Sequence, residues 1–314
     1  MTASVSPPRA LVIGEALIDI VDRGGAESAY VGGSPLNVAV GLSRLGVETT
    51  FATEFAGDDH GRLIAEHVDA AHVAVVQTAV EATRTSTARA RIGADGSATY
   101  DFDLSWEFAR PPRTDGFSIV HVGSVGALRS PGADRVVELV EALPRDVLVS
   151  FDPNVRPALL ASVDATRDLV HRYAARANVV KLSDEDAEWL YPDDPSSAAG
   201  RLLEQGAAIV VVTRGEQGST LSTRAGDLHV PGHAVDVVDT IGAGDSYMSG
   251  LIAALVRGIG LERLIEGRFV DADLAAAGRA AAVAAGITVS RAGAAPPTTV
   301  ELDAALALTG VGAS

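Results

Sequence analysis

The chain of 314 residues contains no cysteine. Disulfides, thiolate metal sites and cysteine nucleophiles are thereby excluded. Lysine is nearly absent too, and Lys181 is the only one. Without a Gly-Lys-Ser/Thr element there is no P-loop. Positive charge is scarce overall: 25 Lys and Arg stand against 41 Asp and Glu, a formal net charge of −16. Nucleic acid is bound by clustered basic side chains, so no nucleic-acid partner is expected. No apolar run reaches the length of a membrane span, so no membrane partner is expected either. Residues 2–9 lack the apolar core of a signal peptide, and the expected compartment is the cytoplasm. The seven histidines show no metal-ligand spacing. No internal repeat or linker interrupts the chain. Residues 1–314 are therefore read as one domain of a size that buries a large core.

Short β-branched runs are what the chain has in abundance. Ala10–Ile13, Thr49–Phe55, Val73–Gln77, Ile119–Val122, Val147–Phe151, Val179–Leu182 and Ile209–Thr213 read as strands apolar on both faces, as in a buried parallel sheet. Helical patterns alternate with them: Leu36–Leu45, Arg62–Asp69, Ala133–Leu143, Asp164–Ala175, Asp184–Leu190, Ala198–Glu204 and an Ala-rich stretch from Asp273 to Val289. Alternation of this kind predicts βαβ units and a mostly parallel, doubly wound α/β sheet. Two segments break the rhythm. Thr87–Arg91 and Ala98–Asp103 flank a Gly93-Ala94-Asp95-Gly96 turn as a half-polar hairpin, and Val21–Val31 is strand-like around Gly24-Gly25. Together they predict a small β-sheet lid, formed by about 15–33 and 84–108, or an ordinary edge hairpin.

Asp239-Thr240-Ile241-Gly242-Ala243-Gly244-Asp245 is the most informative stretch. An apolar run (Val235, Val237, Val238) leads into it, and a helix with Tyr247, Leu251, Ala254 and Leu255 on one face leads out, to stop at Gly258. A Gly-Ala-Gly turn at a helix start leaves unobstructed N–H groups at the positive end of the helix dipole, which suits an anion. Asp245 in the first turn is placed to take a proton from a hydroxyl attacking a bound phosphate. A second motif, Gly32-Gly33-Ser34-Pro35-Leu36-Asn37, opens the first long helix. Ser34 is the expected N-cap, Pro35 the expected N1 residue, and Gly46 the expected C′ stop. Two glycines let a ligand approach the backbone. Asn37 offers donor and acceptor to a sugar hydroxyl, or else holds the loop. Asp19 could accept two hydroxyls, or cap a turn.

These two signatures, in this order, resemble those of the ribokinase-like (PfkB) carbohydrate kinase family, and most of all its fructokinases. The likeness extends through Gly57-Asp58-Asp59-His60-Gly61, Gly14-Glu15-Ala16-Leu17-Ile18-Asp19, Phe151-Asp152-Pro153-Asn154-Val155-Arg156-Pro157, Val212–Gly218 and Ser290–Ala294. The resemblance implies a three-layer α/β/α fold with a β-sheet lid, ATP and Mg²⁺ as cosubstrates, and a sugar between lid and sheet. It implies Asp245 as base and the amides of Gly242, Ala243 and Gly244 as anion hole. It implies Asp19, Gly32, Gly33, Asn37 and Arg156 at the sugar, and Lys181, Ser183, Thr213, Gly215 and Gly218 at the nucleotide. It implies a monovalent-cation loop, K⁺ being the expected ion, built from carbonyls of Asp239, Ile241, Thr288, Arg291 and Gly293. One element departs from the family pattern. Its Asn-x-x-Glu reads Ser183-Asp184-Glu185-Asp186 here, leaving Asp186 as the carboxylate expected near Mg²⁺.

The expected activity is phosphorylation of a ketose primary hydroxyl, with fructose first and 2-keto-3-deoxygluconate, ribose or a nucleoside behind. Arg156 reads a substrate carboxylate or the transferring phosphate, or pairs with an acidic loop residue. A noncatalytic sugar-binding regulator on the same scaffold is the rival reading; it has no use for Asp245. A Rossmann dehydrogenase fails because Gly14-Glu15-Ala16-Leu17 lacks G-x-G-x-x-G. Trp106 either covers the sugar or anchors the lid. Trp189 and His121 are expected in the core. A homodimer through the lid hairpin is the expected assembly.

Overall fold

The computed structural model describes residues 7–92 and 98–310; the turn expected at Gly93–Gly96 and most of 2–9 lie outside them. In chain order the first strands are β1 (Arg9–Ile13), β2 (Leu17–Arg23), β3 (Ala26–Gly32), β4 (Glu48–Thr53), β5 (Ala74–Gln77), β6 (Thr87–Ile92) and β7 (Ala98–Asp103). They are followed by β8 (Ile119–Gly123), β9 (Leu148–Asp152), β10 (Val179–Ser183), β11 (Ile209–Thr213), β12 (Ser219–Thr223) and β13 (Gly226–Val230). The helices are α1 (Ser34–Arg44), α2 (Asp59–Ala70), α3 (Ser124–Leu128), α4 (Gly132–Ala142), α5 (Val163–Ala174) and α6 (Asp184–Leu190). They continue with α7 (Ala198–Gln205), α8 (Ala243–Gly258), α9 (Leu261–Ile265), α10 (Asp271–Val289) and α11 (Thr299–Gly310).

Nine strands form the main sheet in the order β13-β12-β11-β10-β9-β8-β1-β4-β5. All neighbours pair in parallel except β11–β12 and β12–β13. Period-two alternation sorts each strand between two helix layers. Ala10, Val12, Phe51, Ile119 and Val179 pack with α1, α2, α8 and α10. Leu11, Ile13, Val120, Val122 and Val180 pack with α3 to α7. Both faces are covered, which is why these strands are continuously apolar. The expected three-layer doubly wound architecture is thus what the chain adopts.

Five elements escaped the sequence pattern, among them β13 (Gly226–Val230) and α11 (Thr299–Gly310). Strand β12 reads Ser-Thr-Leu-Ser-Thr, with only Leu221 to signal a core face. Helices α3 and α9 are five residues each, too short for a helical period to show. The apolar run Val235–Val238 that leads into the Asp239 motif forms no strand. Val237 and Val238 are exposed, and the amides of Val238 and Asp239 both turn to the carbonyl of Val289. Helix α10 also needs a correction. Among the described residues it is the one helix long and apolar enough, by length and composition, to cross a membrane. It packs along α8 and against β13, and Ala281 and Ala284 are fully buried there.

The remaining strands form a four-stranded sheet in the order β3-β2-β6-β7. Ile18 and Ile20 are buried on the face that meets α2, and Asp19 and its cross-strand neighbour Tyr30 lie on the other face. The sheet returns to the body through Trp106 and Phe108. The indole N–H of Trp106 donates to the carbonyl of Gly126 at 2.8 Å, and its ring lies 5.7 Å from that of Phe108. Buried Glu54 accepts the amides of Phe108 at 2.6 Å and Glu107 at 3.1 Å. Trp106 is only 2 % exposed, so of its two expected roles it fills that of anchor.

Candidate active site

Two helix starts converge beside the C-terminal ends of β9 and β10. Helix α8 begins on Gly242 in the left-handed region (φ 73°). A β-carbon there would lie 2.6 Å from that of Ala294, so both the conformation and the space demand glycine. The first helical bond runs from the Ser246 amide to the Gly242 carbonyl at 2.8 Å. The amides of Ala243, Gly244 and Asp245 precede it and sit at the positive helix end. Asp245 is the N3 residue and is 8 % exposed.

Helix α1 begins one residue earlier than expected. Its N-cap is Gly33 (φ 116°), with Ser34 at N1 and Pro35 at N2. Ser34 is not the cap because its hydroxyl is spent elsewhere. It donates to Oδ1 of Asp245 at 2.6 Å, while Nδ2 of Asn37 donates to Oδ2 at 2.8 Å. Residues three apart on a helix share a face, and this pair of donors grips both oxygens of the carboxylate. Gly33 is crowded against the carbonyl of Glu15, 2.6 Å from where a β-carbon would stand.

Burial raises the Asp245 carboxyl above its ordinary value, opposed by Ser34, Asn37, Lys181 and Arg156. Ser34→Ala removes one of the opposing donors. The acid limb of the kcat/KM profile is therefore expected to move to higher pH, checked by a pH series on parent and variant; a limb that does not move excludes this hydrogen bond from setting the proton affinity.

Beneath the α8 start lies Lys181, only 4 % exposed. Its Nζ donates to Oδ2 of Asp152 at 2.7 Å and would lie 3.1 Å from a β-carbon on Gly244. Desolvation depresses the ammonium, but Asp152, Asp186 and Asp245 together lift it above its ordinary value. Burial, aided by the neighbouring carboxylates, pushes Asp152 up to about 6. Arg156 is exposed, its Nη1 donating to the carbonyls of Val155 at 3.0 Å and Asn154 at 3.4 Å. It forms no ion pair among the described residues, although it is close enough to Asp19, Glu15 and Asp245 to act on each. Asp19 is half-buried, which raises it. Its Oδ2 lies against Gly32, where a β-carbon would sit 2.1 Å away.

The other expected site residues fall in three places. Ser183 caps α6, and Asp186 closes a capping box with it. The Asp186 oxygens accept the amides of Val155 at 2.8 Å and Ser183 at 2.9 Å. Asp186, the carboxylate expected near magnesium, thus has one backbone amide on each oxygen and closes the capping box from N3. Thr213 ends β11; Gly215 (φ 51°) and Gly218 (φ 88°) turn the chain into β12. Asp239 ties two loops together, accepting the amides of Ile241 at 3.0 Å and Gly293 at 2.9 Å. The carbonyl of Thr288 accepts the amides of Ser290 and Arg291, and that of Gly293 accepts the amide of Ala295. Among the described residues no group of three or more His, Asp or Glu could hold a metal ion.

Besides Glu54 at the root of the small sheet, two buried carboxylates had no role from sequence. Asp152 closes an apolar strand and precedes Pro153-Asn154, a signal that a buried strand ends on a charge. Glu15 accepts the Gly126 amide at 2.7 Å, and burial pushes it up to about 7. Its signal was an acid between a strand and the Asp19 strand.

A family model described as pfkB family carbohydrate kinase matches residues 8–300. A fructokinase of Rhizobium leguminosarum bv. trifolii is 32% identical over 258 residues, 78% of this chain and 79% of that protein. The crystal structure of a fructokinase with bound ATP from Xylella fastidiosa superposes with a TM-score of 0.83 at 25% identity, covering 96% of this chain and 99% of that one. A fructokinase double mutant from Vibrio cholerae O395, in fructose, ADP and potassium ion bound form, superposes with a TM-score of 0.80 at 25% identity over 96% and 99% of the two chains.

Proposed function

The chain belongs to the pfkB family of carbohydrate kinases, and from that premise we propose that it transfers the γ-phosphoryl group of ATP to the primary hydroxyl of a ketose, fructose foremost. One observation carries the reading. A buried carboxylate, gripped by Ser34 and Asn37, stands at the N3 position of a glycine-flanked helix start directly above a buried lysine. The sugar docks between the face of the small sheet that bears Asp19 and the starts of α1 and α8, and the small sheet closes as a lid that excludes water. Asp245 takes the hydroxyl proton as that oxygen attacks the γ-phosphorus and the bond to the β-phosphate oxygen breaks, releasing ADP. The amides of Gly242, Ala243 and Gly244 and the Lys181 ammonium offset the charge that develops. Thr213, Gly215 and Gly218 border the nucleotide.

Magnesium would come as part of the substrate, the metal–triphosphate complex, and would offset charge on the phosphate oxygens, with Asp186 the carboxylate expected near it. The two loops clasped by Asp239 fit a monovalent cation, and replacing K⁺ by choline is expected to lower turnover. A cytoplasmic location and a homodimer through the small sheet belong to the same reading. A second substrate, 2-keto-3-deoxygluconate, is favoured by Arg156, whose guanidinium has no carboxylate of its own among the described residues and can take one from a sugar acid.

The test is a panel of fructose, 2-keto-3-deoxygluconate, ribose and a nucleoside with ATP and Mg²⁺, ranked by kcat/KM. Fructose is expected to lead. Absence of phosphorylation of any ketose or pentose overturns the proposal, and measurable sugar affinity without ATP turnover favours the regulator instead.

A further inference from the structure

We propose that Asp152 is a positioning residue for phosphoryl transfer, holding the Lys181 ammonium at the floor of the α8 amide cradle and acting on the reaction through that lysine. This rests on the kinase reading above.

Asp152–Lys181 is the only ion pair among the described residues with both side chains buried, at 1% and 5% exposure. A buried pair repays its desolvation poorly and adds little stability over apolar residues of the same volume. This one is costlier still, because the second oxygen of Asp152, Oδ1, is buried with no hydrogen-bond partner among the described residues. Such a group calls for an explanation beyond packing. Its location supplies one. Strands β9 and β10 run in parallel register, Phe151 beside Val180, so Asp152 and Lys181 come level at the sheet's C-terminal edge. There Nζ would sit 3.1 Å from a β-carbon on Gly244. The ammonium reaches the cradle because residue 244 has no side chain, and it stays there because Asp152 takes one of its three donors. Two N–H bonds remain for a phosphate oxygen.

Three variants and one spectrum test this. Asp152→Asn keeps the sugar KM within about 2-fold and lowers kcat about 10–100-fold, the loss of one charge-assisted contact. Lys181→Met lowers kcat at least as much, and the Asp152→Asn/Lys181→Met double variant is no slower than Lys181→Met alone. An Asp152→Leu/Lys181→Met variant melts at or above the parent temperature yet stays slow. Because Lys181 is the only lysine, protein labelled at lysine Cε gives one side-chain NMR signal. In Asp152→Asn that signal titrates at lower pH than in the parent. Any one of four results overturns the proposal: Asp152→Asn within 3-fold of parent turnover; losses that multiply in the double variant, as when Asp152 serves a divalent cation independently; turnover restored by the apolar pair; or a lysine titration unmoved by Asp152→Asn. If the parent phosphorylates no sugar, the kinase reading fails instead, and the titration still decides whether Asp152 governs Lys181.

Discussion

Asp245→Asn is expected to fold as the parent does and to turn over about 10²–10⁴-fold more slowly, the usual contribution of a positioned general base. Folding survives because an amide meets both partners. Its oxygen accepts from Nδ2 of Asn37, and its NH₂ donates to the hydroxyl of Ser34, which rotates to accept. Catalysis does not survive, because an amide cannot take the sugar's proton. The stability effect has a definite sign. Burial holds the folded-state pKa of Asp245 above its ordinary value, so the parent is destabilised by its charge at neutral pH and regains that stability as the pH falls through the raised value. The neutral amide removes the cost. Asp245→Asn therefore melts at or above the parent at pH 7, with the gap closing in acid. Thermal melts at several pH values and steady-state kinetics check both halves, and a variant with near-parental kcat removes Asp245 from the base role.

Gly242→Ala is expected to lower kcat about 10²–10³-fold, comparable with deleting one donor of an oxyanion hole. Two strains combine. A left-handed φ costs an L-residue about 1–2 kcal/mol, and the new methyl would stand 2.6 Å from the β-carbon of Ala294. The chain relieves the contact by moving the α8 start away from the 291–294 loop, and the amides of Ala243 and Gly244 move with it. Adding Ala294→Gly removes the contact but not the dihedral strain. It is expected to restore part of the turnover and part of the urea midpoint. If Gly242→Ala keeps parental kcat, the cradle's geometry is not what stabilises the transferring group.

Much of this was legible in the residues. Apolar runs of five, alternating with helical periods, announce a sheet covered on both faces, since nothing else makes a strand apolar throughout. The α8 start was legible because Gly-Ala-Gly-Asp sets unobstructed amides and a first-turn carboxylate side by side at a helix start. What stayed hidden depends on contacts distant in sequence. Capping rules assign Ser34 to the N-cap, yet a carboxylate 211 residues away claims its hydroxyl, and Gly33 caps by backbone alone. Asp186 kept the charge of the family's acid, yet one of its oxygens takes the amide of Val155, 31 residues away, a contact that no local rule gives. Val237 and Val238 have strand propensity and no strand beside them, so propensity goes unrealised. Asp152 was visible as a residue, and its partner too. Only the parallel register of β9 and β10 brings them level.

The seat of Trp106 has one more consequence. With two tryptophans in the chain, and Trp189 only half-buried on α6, the indole under the small sheet is a built-in optical gauge. While the anchor at Gly126 holds, its emission is that of a dry, hydrogen-bonded ring. Any loosening of the root that lets water in turns the emission red, so in a Trp189→Phe background a fluorimeter follows the seating of that sheet without a dye.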